Sequence, residues 1–193
     1  MDRKFRIKVY FKSDFKKKPS LTEQKKQTIR SILKGCKFKE NNFYNLILSD
    51  DLEIRVYLNL IQIVYGEFSR INKSLVESMT AVFYPNQIID RQSCAIQYEI
   101  EQTDIFAFEN VFESKVKFQD RPLIYNFSFL NPFKYQDQLI FIDISAQLKG
   151  PGITIEVSIG DDDKSLDDMI LLLNDFSKSE TMTTILNSIS GGS

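Results

Sequence analysis

One stretch constrains the fold more than any other: Leu52 to Tyr84, LEIRVYLNLIQIVYGEFSRINKSLVESMTAVFY. In its first half Leu52, Ile54, Val56, Leu58 and Leu60 are apolar, while Glu53, Arg55, Tyr57 and Asn59 alternate with them. A period of two is the pattern of a half-buried strand. In its second half Phe68, Ile71, Leu75, Met79 and Val82 recur every three or four residues, which is one face of a helix. Gly66 lies near the change of period, and Pro85 stops the helix. The pattern predicts a long strand feeding an amphipathic helix, and so a sheet layer covered by a helix layer. Within the strand the phase slips, because Ile61, Ile63 and Tyr65 take over from the even positions. Two readings account for the slip: a bulge, or a segment buried on both faces.

The flanks extend the pattern. Phe5, Ile7, Val9 and Phe11 alternate with Lys4, Arg6, Lys8, Tyr10 and Lys12, giving a strand with one apolar and one basic face. Lys16-Lys17-Lys18-Pro19 reads as a solvated loop. Ser20-Leu-Thr-Glu23 reads as a capping box, opening a helix that buries Leu21, Ile29, Ile32 and Leu33 and ends at Gly35. Tyr44, Leu46 and Leu48 alternate in a second strand, and Ser49-Asp50-Asp51 turns into the strand at Leu52. Cys94, Ile96, Tyr98 and Ile100 form a fourth. The order β-α-β-β-α-β is the ferredoxin-like arrangement.

Beyond Ile105 strands dominate. Phe112–Phe118 and Leu123–Phe129 read as a pair joined through Asp120-Arg121-Pro122. Ile140 to Leu148 and Ile153 to Ile159 read as a hairpin turning at Gly150-Pro151-Gly152. Ser165-Leu-Asp-Asp168 is a second capping box, before a helix facing inward through Leu166, Met169, Ile170, Leu173 and Phe176, with a short further helix over Ser179–Ile189. The expectation is an α+β fold: a largely antiparallel sheet with helices on one face, a ferredoxin-like N-terminal half, then a β-meander and a C-terminal helix. A single domain spans 1–190, with possible sub-units 1–103 and 104–190, and 191–193 reads as a tail or linker. No repeat of 20–50 residues stands out.

At 193 residues roughly 70% of the unfolded chain's surface can be buried, so no metal or disulfide staple is required. The two cysteines, Cys36 and Cys94, read as buried thiols in a reducing cytosol. No apolar run approaches the ~20 residues of a membrane span, and the charged N-terminus lacks the apolar core of a secretory signal. A cytoplasmic protein with no membrane partner is expected. Abundant Lys, Ile, Asn and Phe with few Gly suggest a bacterial or phage source.

The chain has no histidine, which removes Ser-His-Asp and Cys-His nucleophilic chemistry and the commonest zinc ligand. Phosphate-cradling glycine motifs are absent too. The acidic run Asp161, Asp162, Asp163, Asp167 and Asp168 is the densest set of oxygen ligands, but it lacks calcium-loop spacing and reads first as helix-capping charge. No catalytic residue, metal ligand or cofactor is assigned, and the enzyme question leans towards no.

The net charge of −1 conceals an asymmetry. Residues 1–39 hold fourteen Lys and Arg against three acids, a balance of +11, and the remainder carries eleven bases and twenty-three acids, −12. Such a division favours an anionic partner or self-association through unlike patches. The phenylalanines read as core, though Phe106, Phe108, Phe112, Phe127, Phe129 and Phe133 could together line a groove or a subunit interface. Ferredoxin-like wiring would make the strands at Phe5 and Leu52 neighbours. Arg6, Lys8, Tyr10, Lys12, Arg55 and Tyr57 would then share one open face, with cations for phosphates and rings for bases. The expected function is therefore non-enzymatic binding of a protein partner or of a second copy. Single-stranded nucleic acid on the basic face is the alternative, and metal-assisted catalysis at 161–168 the second.

Overall fold

The computed structural model describes residues 2–12, 17–67, 70–100, 117–118, 121–122, 126–147, 152–160 and 164–190. Along the first part run β1 (Asp2–Lys12), α1 (Glu23–Ile32), β2 (Lys37–Glu40), β3 (Asn45–Ser49), β4 (Leu52–Val56), β5 (Leu60–Tyr65), α2 (Lys73–Phe83) and β6 (Ile88–Ile100). Then come β7 (Lys117–Phe118), β8 (Arg121–Pro122), β9 (Asn126–Tyr135), β10 (Gln138–Gln147), β11 (Gly152–Gly160), α3 (Leu166–Ser177) and α4 (Glu180–Ser190). The fold is α+β. Nine strands form one antiparallel sheet in the order β2-β3-β4-β5-β1-β6-β11-β10-β9, and β7 pairs with β8 apart from it. The chain divides into two compact units, residues 4–94 with 160–170, and residues 1–3 and 95–159 with 171–193.

In the first unit the predicted long strand is two strands. β4 and β5 pair antiparallel as Leu52↔Tyr65, Ile54↔Ile63 and Val56↔Ile61. Each pair joins an even to an odd number, so a hairpin carries the apolar set from even to odd positions without a bulge. The Tyr57 amide donates to the Leu60 carbonyl at 2.8 Å and closes the turn. β5 then pairs with β1, as Phe5↔Tyr65, Ile7↔Ile63 and Val9↔Ile61. The strands at Phe5 and Leu52 are therefore not neighbours, because β5 lies between them. The order β4-β5-β1-β6, with α1 and α2 as crossovers, retains the β-α-β-β-α-β connectivity, and the hairpin β2–β3 is added beside β4.

The apolar sides of these strands meet the helices. Phe5, Ile7, Val9, Ile47, Ile54, Val56, Ile61 and Ile63 are buried, as are Ile29 on α1 and Leu75, Val76, Met79 and Phe83 on α2. Phe11 stacks on Tyr84 with ring centroids 4.0 Å apart. Three expected positions shift. The N-cap of α1 is Thr22, whose hydroxyl accepts from the Lys25 amide at 3.3 Å, rather than Ser20. Ile32 lies on the exposed side of that helix. In β3 the buried residues are Asn45 and Ile47, so Tyr44, Leu46 and Leu48 occupy the opposite face. Asn45 holds the phase: its side chain accepts from Lys18 Nζ at 2.5 Å and donates to the Pro19 carbonyl at 2.6 Å.

The other unit contains a meander. β9 pairs with β10 and β10 with β11, all antiparallel, the last ending at Gln147↔Gly152. β9 runs through Pro132, which interrupts no strand because β9 is the last in its sheet, where a missing amide is tolerated. Gln136 and Asp137, with φ of 47° and 60°, make the two-residue turn. Phe176 of α3 packs between Phe133 and Tyr135, at 5.8 and 5.1 Å. At the start of α3 half of the expected capping box forms: the Asp168 amide donates to Ser165 Oγ at 3.2 Å, while the Asp168 carboxylate accepts from that hydroxyl at 2.7 Å rather than from the Ser165 amide. Phe68, Phe106, Phe108, Phe112, Lys16, Asp161, Asp162, Asp163 and the turn at Gly150 and Pro151 lie outside the described residues.

Candidate functional site: a basic sheet face

In the unit of residues 4–94, alternation sends one side chain in two away from α1 and α2. The register aligns these side chains in rows. One row reads Lys39–Leu46–Arg55–Gln62–Lys8, and the next Lys37–Leu48–Glu53–Val64–Arg6. At ~4.8 Å per strand, Lys39 and Lys8 stand about 19 Å apart across the face. Near the turn, Leu60 pairs with Tyr10. There Tyr57 and Tyr44 face each other with ring centroids 5.2 Å apart.

All six residues expected to form a basic face share it, even though β5 separates their strands. A strand inserted between two antiparallel neighbours spreads a common face without turning it over. Gln62, brought in by β5, links the two halves and receives the Tyr57 hydroxyl's hydrogen bond at 3.5 Å. Sequence reasoning missed Lys37, Lys39, Tyr44 and Arg91. Lys-Phe-Lys-Glu at 37–40 does alternate, so the signal existed, but four residues are too few to distinguish a strand from a loop. Arg91 joins because β6 starts six residues before Cys94. Its guanidinium lies 4.5 Å from the centroid of the Tyr10 ring.

Some of the charge is internally compensated. Arg55 is ion-paired with Glu53 and lies 5.7 Å from the Tyr44 ring centroid. Burial works against the Arg55 charge, but Glu53 and the Tyr57 hydroxyl outweigh it and raise its pKa. Lys12 meets Asp90 at 3.5 Å. The surface is thus a basic field with two aromatic positions, each accompanied by an arginine.

Elsewhere the arrangement offers little to chemistry. Burial raises the thiol pKa of both Cys36 and Cys94, the latter to about 12, so neither is a ready thiolate. Of the acidic run, Asp167 binds Lys73 Nζ at 2.9 Å and Asp168 accepts from the Ser165 hydroxyl at 2.7 Å. Among the described residues no three His, Cys, Asp or Glu side chains cluster as metal ligands, and no helix is long and apolar enough to cross a membrane. A cleft of about 420 Å³ is lined by Asp50, Asp51, Tyr65, Arg70 and Ser74, but Asp51 compensates Arg70 at 2.5 Å. No protein-family model matches the sequence, and no curated protein is similar to it.

Proposed function

We propose that this chain is a non-enzymatic binding protein whose working surface is the basic face of β1 to β5, and that it takes an anionic stretch of another macromolecule. The observation carrying this reading is the register that aligns Lys39, Arg55 and Lys8 in one row, and Lys37 and Arg6 in the next. Cations on every second strand of the first row and at both ends of the second, where Glu53 lies between them, make an extended field suited to a partner with repeated negative charge. A protein partner with an acidic segment, or the acidic remainder of a second copy, fits that field. Single-stranded nucleic acid is favoured by one further observation: Tyr10 and Tyr57 place rings among the cations, where bases can stack.

Titration with a labelled polyglutamate peptide and with a labelled single-stranded oligonucleotide, at ~50 mM salt, tests both. Lys8→Glu should weaken either ligand and flatten the salt dependence. Tyr57→Ala should weaken the oligonucleotide alone, by about 1–3 kcal/mol, if bases stack there. Binding of neither ligand above an albumin control removes the proposal.

A further inference from the structure

We propose that one end of the unit of residues 4–94, where β2 turns into β3 and β4 into β5, docks on an anionic lipid surface. This goes beyond the basic face, with which the end shares Lys12 and Arg91, and rests on apolar side chains that the face does not use. Four of the eight exposed large apolar side chains among the described residues gather at this end, including the two most exposed: Phe43 at 78%, Ile88 at 68%, Ile89 at 42% and Leu58 at 38% exposure.

Their placement follows from the register. Asn45 pairs with both Glu40 and Val56, so the turns carrying Phe43 and Leu58 emerge side by side. The Phe11 amide donates to the Asn59 carbonyl at 2.9 Å, and Lys12 reaches Asp90 at 3.5 Å, so the end of β1 and the start of β6 emerge there too. The tips are held in place. Asn41 Oδ1 accepts from the Phe43 and Tyr44 amides at 2.8 Å each, and the Tyr84 hydroxyl donates to the Tyr57 carbonyl at 2.5 Å. Scattered over a surface such side chains need no explanation, but gathered at one end of a fixed backbone beside lysines they mark that end as a place of contact.

Spacing and charge select the occupant. Phe43, Leu58 and the Ile88-Ile89 pair follow one another along the strand ends, separated by about two strand spacings, roughly 10 Å. Four such side chains are far fewer than the roughly 20–30 residues a side that a stable protein interface engages. A second copy needs one contiguous apolar patch, whereas a bilayer surface can receive each tip separately. Cations stand at the same end. Lys12 closes β1, and Lys17 adjoins Lys18, whose ammonium is anchored on Asn45. Arg91 follows Ile88 and Ile89 on β6. Glu40 and Asp90 are the acids nearby, and Asp90 is the partner of Lys12. Apolar tips among lysines match the chemistry of anionic headgroups over acyl chains. A surface contact of this kind requires no spanning segment, so it does not conflict with the absence of one among the described helices.

Flotation with vesicles of phosphatidylcholine, alone or with roughly a third phosphatidylserine, decides the matter at ~50 mM salt. The intact protein should float with the anionic vesicles and not with the neutral ones. The double variant Phe43→Ser, Ile88→Ser should lose at least about tenfold in that binding while keeping its far-ultraviolet circular dichroism, because both side chains lie outside the core. Ile32→Ser, an apolar side chain as exposed as Leu58 but lying by the β3–β4 turn at the opposite end, should float as the intact protein does. Three results would overturn the proposal: no flotation with either vesicle, flotation that the double variant leaves unchanged, or a dimer in sedimentation that the double variant abolishes. The last would assign the tips to a second copy.

Discussion

Single residues in this protein show how burial sets chemistry. Cys94 is fully buried and its thiol is pushed up to about 12 from an ordinary value of 9.0 by loss of solvation. The fold holds the neutral thiol. Its contribution to stability is therefore complete below the unfolded pKa, near 9, and fades as pH climbs towards 12. Tyr65, raised to about 12 from 10.0 by burial, acts with the same sign from pH 10 upward. Cys94→Ala should accordingly flatten, but not abolish, the fall of denaturant stability between pH 9 and 12. An unchanged slope would mean that the thiol titrates freely in the folded state. The same burial predicts that neither cysteine reacts with a thiol reagent at neutral pH until denaturant is added.

At the scale of elements, helix α1 shows how a neighbouring side chain can mimic a cap. Ser20-Leu-Thr-Glu23 has the letters of a capping box, yet the helix begins two residues later on Thr22. Thr22 also precedes a helical run, and Leu21 is buried just ahead of it, which fixes where the chain enters. Thr22→Ala should cost about 1 kcal/mol in urea denaturation, while Ser20→Ala should stay within about 0.5 kcal/mol. The reverse ranking would restore the first reading. Glu23 is not the reciprocal cap: its carboxylate accepts from Lys26 at 2.8 Å, which holds its pKa below the usual range.

For the whole molecule the governing fact is charge. The +11 of residues 1–39 and the −12 of the remainder give a chain with almost no net charge to keep copies apart. Sedimentation at ~50 mM salt should reveal dimers or larger species that loosen by ~500 mM, since exposed pairs are screened within a few ångströms at high salt. A monomer at every salt concentration removes this expectation. Association that ignores salt but is lost with Phe43→Ser would shift the contact from charge to the apolar end.

Much of the fold was legible in local patterns. Alternation placed Arg6, Lys8, Tyr10 and Lys12 on one face of β1, and Arg55 of β4 with Tyr57 just past its end on the same side, because side-chain direction in a strand depends only on counting by two. The Ser165–Asp168 cap, the meander and the C-terminal helices followed from spacing in the same way. The hairpin inside Leu52–Tyr65 did not. Its turn, Tyr57-Leu58-Asn59, contains no glycine or proline, and a two-strand reversal changes parity just as a bulge does. Nor could the sequence say that β5 separates β4 from β1, or that β2 and β3 extend the basic face. Strand order is decided by which backbone edges pair at long range, and the side chains' periodicity carries no record of it. The chain alone determined which side chains face together on each strand. Only the tertiary structure decided which strands stand side by side, and so how far the basic surface reaches.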